Sequence, residues 1–218
     1  MKLLWIVPYT PTPIRTRPHY LLQALIERGH CVTLATLWET ESERQTLAGL
    51  EAQGVRVVAE RLTKRKALAA MVLAGMKGRP LQSGYAWHGG LAQRVAGLLR
   101  AEAFEAVHVE HLRGAAYARL AQQVLGERGE ADRVVWDSVD CISLLFEQAS
   151  SRSRGLFGRW VTRLELPRTR RYERELVGSL ATTLVTSAND KEALERLAGR
   201  RLAQVRVLPN GVDSTYFC

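Results

Sequence analysis

Apolar positions fall into short solid blocks separated by stretches with helical spacing. Lys2 to Val7 is a compact run with β-branched and aromatic members that stops at Pro8, the pattern of a buried strand. After a Pro-rich loop, Pro18 stands where the first residue of a helix belongs, and Leu21, Leu22, Leu25 and Ile26 share one face before Gly29. Cys31 to Thr36 reads as a second strand. Thr40 and Glu43 have the capping-box spacing for a helix running to Gln53, with Gly54 just past its end. The alternation continues with a strand at Val55 to Ala59, helices near Lys64 to Met76 and Leu91 to Arg100, a strand at Ala106 to Val109 and a helix at Ala115 to Leu125. Further strands fall at Val134 to Trp136, Thr182 to Thr186 and Val205 to Leu208, with an interrupted helical stretch over Leu144 to Val177 and a helix at Asn189 to Leu197.

Seven strands alternating with helices predict an α/β fold: a doubly wound, mainly parallel, Rossmann-like sheet with helices on both faces. At 218 residues the chain suits one large domain, or a domain plus a fragment. Composition excludes collagen-like, disordered and disulfide-scaffold classes, with 46% hydrophobic and 24% charged residues. The longest apolar run, Ala67 to Met76, is too short to span a bilayer, and Leu3 to Val7 is too short for a signal-peptide core before Pro8. A cytoplasmic location is the expectation. Cys31, Cys141 and Cys218 form an odd set without C-x-x-C spacing, which argues against a disulfide framework or a thiolate zinc site.

The formal charge is +9, and +5 of it lies in Ser150 to Glu175, where eight arginines face three glutamates. Between Arg152 and Arg174 the apolar Leu156, Phe157, Trp160, Val161 and Leu164 interleave with arginines at helical spacing. Such a segment either meets an anionic membrane as a peripheral contact, at the inner face of the membrane, or packs its apolar side on the domain. Without aromatic interleaving of nucleic-acid type, a zinc pattern or a helix-turn-helix, no nucleic-acid partner is expected.

In open α/β sheets ligands bind beyond the carboxyl ends of strands, so residues just after each predicted strand carry most weight. The loop Pro8 to Pro18 holds four of the seven prolines with Arg15, Arg17 and His19, and no glycine. That argues against a dinucleotide fingerprint, and no P-loop pattern occurs. Its guanidinium groups either face an anion at a helix N-terminus or remain solvated charge. Glu110, His111 and Arg113 follow the strand at Ala106 to Val109. With His108 they spell H-x-E-H, but a strand sends His108 and His111 to different faces, so no metal is expected. The set suits sugar hydroxyls or phosphate, or is simply a polar loop. Asp137 and Asp140 follow a buried-looking strand, as hydroxyl acceptors, a base, or caps of the next turn. Ser187 with Asp190 has capping-box spacing.

The first strand, the Pro-rich loop, the stretch Leu21 to Leu34 and the closing Pro209-Asn210-Gly211-Val212-Asp213 with Phe217 together resemble the N-terminal half of a GT-B glycosyltransferase of family 4. Asp137, Asp140 and Ser143 resemble the D-x-x-D-x-x-S pattern of a sugar-transferase subgroup. The resemblance implies a Rossmann-like acceptor-binding domain at 1–208 and the start of an interdomain linker at 209–218, carrying Asn210, Gly211 and Asp213. It places the donor-binding domain, with its phosphate-clamping residues, outside this chain, so that this half alone is expected to be inactive. The implied reaction transfers a sugar from a nucleotide diphosphate sugar to a hydroxyl acceptor, in polysaccharide, glycolipid or glycoconjugate synthesis. No cofactor is implied beyond the donor substrate. The implied partners are a sugar or lipid-linked acceptor and a donor-binding domain or separate chain. Arg15, Arg17, His19, Glu110, His111, Arg113, Asp137 and Asp140 would line the acceptor side, while the catalytic residues of the donor site would lie elsewhere. The alternative is a non-catalytic truncated homologue or a split-enzyme subunit acting as a binding module. Family members often carry a glycine pair in the first loop; here Ile14 to Arg17 occupy that region.

Overall fold

The computed structural model describes residues 1–152 and 156–211, with side chains for 1–149 and 164–211. In chain order the elements are β1 (Lys2–Val7), α1 (Thr16–Glu27), β2 (Cys31–Trp38), α2 (Glu41–Ala52), β3 (Arg56–Arg61), α3 (Lys64–Met76), α4 (Leu81–Tyr85), α5 (Gly89–Ala101), β4 (Ala106–Glu110), α6 (His111–Gly126), β5 (Val134–Val139), α7 (Ile142–Arg152), α8 (Leu156–Ser179), β6 (Thr182–Val185), α9 (Ala188–Ala198) and β7 (Val205–Val207). The strands form one sheet in the order β3-β2-β1-β4-β5-β6-β7, and every pairing is parallel. The expected α/β doubly wound sheet is therefore present.

Alternation along β1 explains why both faces are covered. Leu4 and Ile6 join the larger core, with Val95 and Leu99 of α5 and Leu112 and Ala115 of α6. Trp5 and Val7 point the other way into a second core with Leu22 of α1 and Leu47 and Leu50 of α2. Both cores are apolar and water-free enough that each strand of the centre must be hydrophobic on two sides, which is why its sequence reads as a solid run.

Local signals set the helix ends. At α2 the capping box is complete: the Glu43 amide donates to Thr40 Oγ1 and the Thr40 amide to Glu43 Oε2. Ser187 caps α9 by accepting from the Asp190 amide. Gly54 takes φ +89° after α2, which favours glycine there.

Four boundaries that move a candidate residue differ from the sequence reading: strand β4 runs through Glu110, so Glu110 is its last residue and not the first beyond it. Helix α1 begins at Thr16, so Pro18 is its third residue and not its first. Strand β5 runs on to Val139, which puts Asp137 inside the strand instead of beyond it. Helix α6 starts at His111, so His111 and Arg113 sit in a first helical turn and not in a loop. The short α4 has no counterpart in the apolar pattern, being one turn whose Gly84 packs tightly on α3.

The arginine-rich stretch lies largely outside the described side chains, including Leu156, Phe157, Trp160 and Val161. Its described arginines are engaged. Arg168 pairs with Glu165, Arg170 with Glu147, Arg171 with Glu175, and Arg174 donates to the Leu197 carbonyl. Among the described residues no helix is long and apolar enough to cross a membrane.

Candidate functional site

The strand order reverses between β1 and β4, and the crevice beyond their carboxyl ends is where an open parallel sheet presents ligand-binding groups. Tyr9 leaves β1 and donates its hydroxyl to Glu110 Oε1 at 2.6 Å, at the end of β4. Glu110 is 1% exposed and its Oε2 has no hydrogen-bond partner among the described residues. Burial pushes its carboxyl up to about 7, against the pull of the Tyr9 hydrogen bond and the nearby His108 charge. The same carboxylate, after burial, raises the Tyr9 phenol well above its ordinary value.

His111 follows at φ +64°, a left-handed conformation that a non-glycine residue seldom adopts. Burial and the Arg113 charge hold its imidazole down at about 4. Its Nδ1 accepts the Arg113 amide at 3.2 Å, which leaves the proton of the neutral ring on Nε2. Its carbonyl accepts from Trp136 Nε1 at 3.3 Å, tying the turn to β5. A second strained residue, Val139 at φ +65°, ends β5 close by; for a β-branched side chain this is a marked departure.

Two cations stand at the rim. Arg15 lies over the Tyr9 ring at 4.7 Å and reaches Glu43 at 3.1 Å and the Thr10 carbonyl at 2.8 Å. Arg113 lies over the Tyr85 ring at 5.3 Å, and Tyr85 donates to Glu39 at 3.0 Å. The result is a polar cluster with two aromatic rings, two guanidinium groups and a buried carboxyl raised to about 7.

Arg17 behaves differently from the free anion-binding group the sequence suggests. Its side chain is 5% exposed and that of Asp137 0%, with Nε and Nη2 at 2.9 and 2.8 Å from Asp137 Oδ2. Its Nη1 donates to the Leu208 carbonyl at 3.0 Å and to Asn210 Oδ1 at 2.9 Å. It is a buried latch between α1, β5 and the segment after β7. Asp137 also lies 3.4 Å from His108 Nε2 and accepts the Val139 amide at 3.1 Å. Burial raises its carboxyl, but the His108 hydrogen bond and charge, with those of Arg17, outweigh it and hold Asp137 below the ordinary value.

A family model described as a glycosyl transferase 4-like domain matches residues 14–211. The chain belongs to that family. Among solved structures, UGT2 of Phytolacca americana complexed with UDP-2fluoro-glucose and pterostilbene aligns over 98% of this chain and 55% of its own, with TM-score 0.55 and 12% identity. The apo form of that protein aligns with TM-score 0.49 and 15% identity over 97% of this chain and 52% of its own. A UDP-glucosyltransferase from Polygonum tinctorium, in complex with 3,4-dichloroaniline, gives 0.48 and 14% over 98% and 52%. At such identity the first likeness is one of fold, and it agrees with the GT-B half-fold implied by the sequence. This chain spans about half the length of those structures. No curated protein matches it.

Within this glycosyl transferase 4-like domain the candidate residues separate into groups. Glu110, His111, Arg113 and Arg15 gather around Tyr9, while Arg17 and Asp137 form the latch. Asp140 stands toward β6, accepting from Thr186 at 3.4 Å, with its carboxyl raised by burial and the Asp190 charge. Ser143, third member of the D-x-x-D-x-x-S pattern, gives its amide to the buried Glu173, which also accepts the Ile142 amide at 2.7 Å and so caps α7. His19 lies on α1 with its ring on Tyr20, 5.1 Å between centroids, and is not brought to Glu110 by any described contact. Asn210 serves the Arg17 latch, Gly211 is exposed, and Asp213 lies outside the described residues.

Sequence reasoning missed Tyr9, Glu39, Tyr85 and Val139. Tyr9 lies two residues past β1 and Glu39 directly follows β2, so the strand-end rule would have found Glu39 had the second strand been read to Trp38. Tyr85 sits on the unanticipated α4, and the strain at Val139 leaves no mark in residue type.

Proposed function

We propose that this chain is the acceptor-binding half of a glycosyltransferase that moves a sugar from a nucleotide diphosphate donor to a hydroxyl acceptor. The observation that carries the reading is the convergence of Tyr9, Glu110, His111 and Arg113 at the β1–β4 switch point of a glycosyl transferase 4-like domain. The neutral His111 imidazole and the Arg15 and Arg113 guanidinium groups can donate hydrogen bonds to sugar hydroxyls, while the buried Glu110 carboxyl orients the Tyr9 hydroxyl. Tyr9 and Tyr85 supply apolar faces for a sugar ring or an adjoining group, each backed by a guanidinium. The donor sugar is left to a second domain. That domain would supply the cationic clamp for the leaving diphosphate, and near-attack positioning between two halves can be worth about 7 to 11 kcal/mol.

The test is a product-release assay of the 218-residue chain against a panel of nucleotide sugars, with calorimetry of each donor. The reading expects no donor-dependent turnover and weak donor binding. Tight donor binding with turnover in the ordinary enzymatic range of about 1 to 1,000 per second would overturn the division of labour proposed here.

A further inference from the structure

Helix α3 is built inside out. Its inner face is small: Ala67 and Ala74 are buried, and Gly84 of α4 approaches so closely that an added Cβ would lie 2.5 Å from the Ala70 carbonyl oxygen. Its outer face carries the large apolar side chains, Leu68 at 63% exposure, Val72 at 55%, Leu73 at 48% and Met76 at 79%. These recur at three-, four- and five-residue steps along one side of a helix about 20 Å long. A helix apolar all round is ordinarily covered on all sides. Here the outer side continues into a groove of about 270 Å³ bounded by Leu73, Lys77 and Arg79.

Charge says what covers it. From Leu62 to Ala101 there are seven basic residues and no aspartate or glutamate. Lys64, Arg65 and Lys66 stand at one end of the apolar face and Lys77 and Arg79 at the other; of the exposed ones, Lys66 meets His88 Nε2 at 3.0 Å. Lys64, Arg65 and Lys77 make no ion pair among the described residues. An apolar stripe bracketed by cations suits the plane of an anionic bilayer, with side chains in the acyl boundary and ammonium groups among the headgroups. A second copy of this chain docked face to face would instead set the lysines and arginines at the ends of α3 against their like.

We propose that the outer face of α3 docks the chain on an anionic lipid surface. The proposal goes beyond the transferase reading and stands without it. Helix α3 leaves the carboxyl end of β3, so its first turn lies on the same rim of the sheet as the candidate site, and docking there would bring that rim to the membrane. The arginine-rich stretch considered from the sequence is a different segment, and its described cations are paired.

The experiment is flotation of the full chain with phosphatidylcholine vesicles and with vesicles half phosphatidylglycerol, alongside Lys64→Glu/Lys77→Glu and Val72→Ser/Met76→Ser. Thermal melts check that each exposed pair keeps the fold. The chain is expected to float with the anionic vesicles alone and to be released by salt. At about fivefold per cation, losing two lowers partitioning by at least about 30-fold, the two new carboxylates adding repulsion from the anionic surface, and the serine pair abolishes it. Should one pair unfold, the other still decides. No flotation, equal flotation with neutral vesicles, or dimers in sedimentation that the serine pair dissolves would overturn the proposal, the last by assigning the face to a second copy.

Discussion

Replacing Asp137 by alanine should be among the most destabilising single changes outside the apolar core. The substitution leaves the Arg17 guanidinium buried at 5% exposure, with only two neutral acceptors, the Leu208 carbonyl and Asn210 Oδ1. Breaking a buried pair by removing one partner costs about 3 to 5 kcal/mol, because the remaining charge is uncompensated. A domain of this size loses about 2 to 4 °C of Tm per kcal/mol, so the expected fall is roughly 10 °C. Arg17→Ala should cost less, since the abandoned carboxylate keeps His108 at 3.4 Å and the Val139 amide at 3.1 Å. The double change Arg17→Met/Asp137→Leu removes both charges and should be more stable than Asp137→Ala. Urea unfolding followed by circular dichroism, with unchanged slopes, of both single variants and of Arg17→Ala/Asp137→Ala closes the cycle and should give a coupling of about 1 to 3 kcal/mol. A cost below about 1 kcal/mol for Asp137→Ala, or additive single effects, would refute the latch.

The Glu110→Gln variant keeps an oxygen for the Tyr9 hydroxyl but cannot ionise. In the folded chain the Glu110 carboxyl is raised from 4.5 to about 7, so its contribution is full below pH 4.5 and is lost as pH rises through 7. The stability of the variant relative to the parent should therefore climb by up to about 3 kcal/mol between pH 4.5 and 8, measured by urea unfolding at both. A constant difference would mean that the carboxyl is not desolvated. Gly84→Ala drives a methyl to 2.5 Å from the Ala70 carbonyl oxygen and 2.7 Å from Ala74 Cβ, forcing α4 away from α3. A loss of about 1 to 3 kcal/mol is expected in the same assay, and an unchanged midpoint would contradict the close approach.

The architecture was readable because strands at the centre of a doubly wound sheet are covered on both sides, so β1, which feeds both cores, announces itself as a solid run between helical periods. Caps were equally legible at Thr40 and Ser187, where the recognition is local. The short α4 was not, since one turn carries too few residues to show a period. The site was half readable for the same reason. Position after a strand pointed to Glu110 and His111, but which arginine faces a ligand and which closes an ion pair depends on partners far along the chain. Arg17 and Asp137 are separated by 120 residues, and the carbonyl that Arg17 also binds by 191. Nothing near Arg17 in sequence distinguishes it from Arg15, which stays at the rim.

The central claim is that the polar cluster at the β1–β4 switch point receives a hydroxyl acceptor. Amide chemical-shift mapping of the chain with a panel of mono- and disaccharides and glycolipid headgroup mimics measures this most directly. Saturable shifts are predicted for the amides of residues 9–17, 110–114 and 137–140, and their loss in a folded Glu110→Ala variant. Absence of saturable shifts with every acceptor, or shifts confined to the groove beside α3, would contradict it.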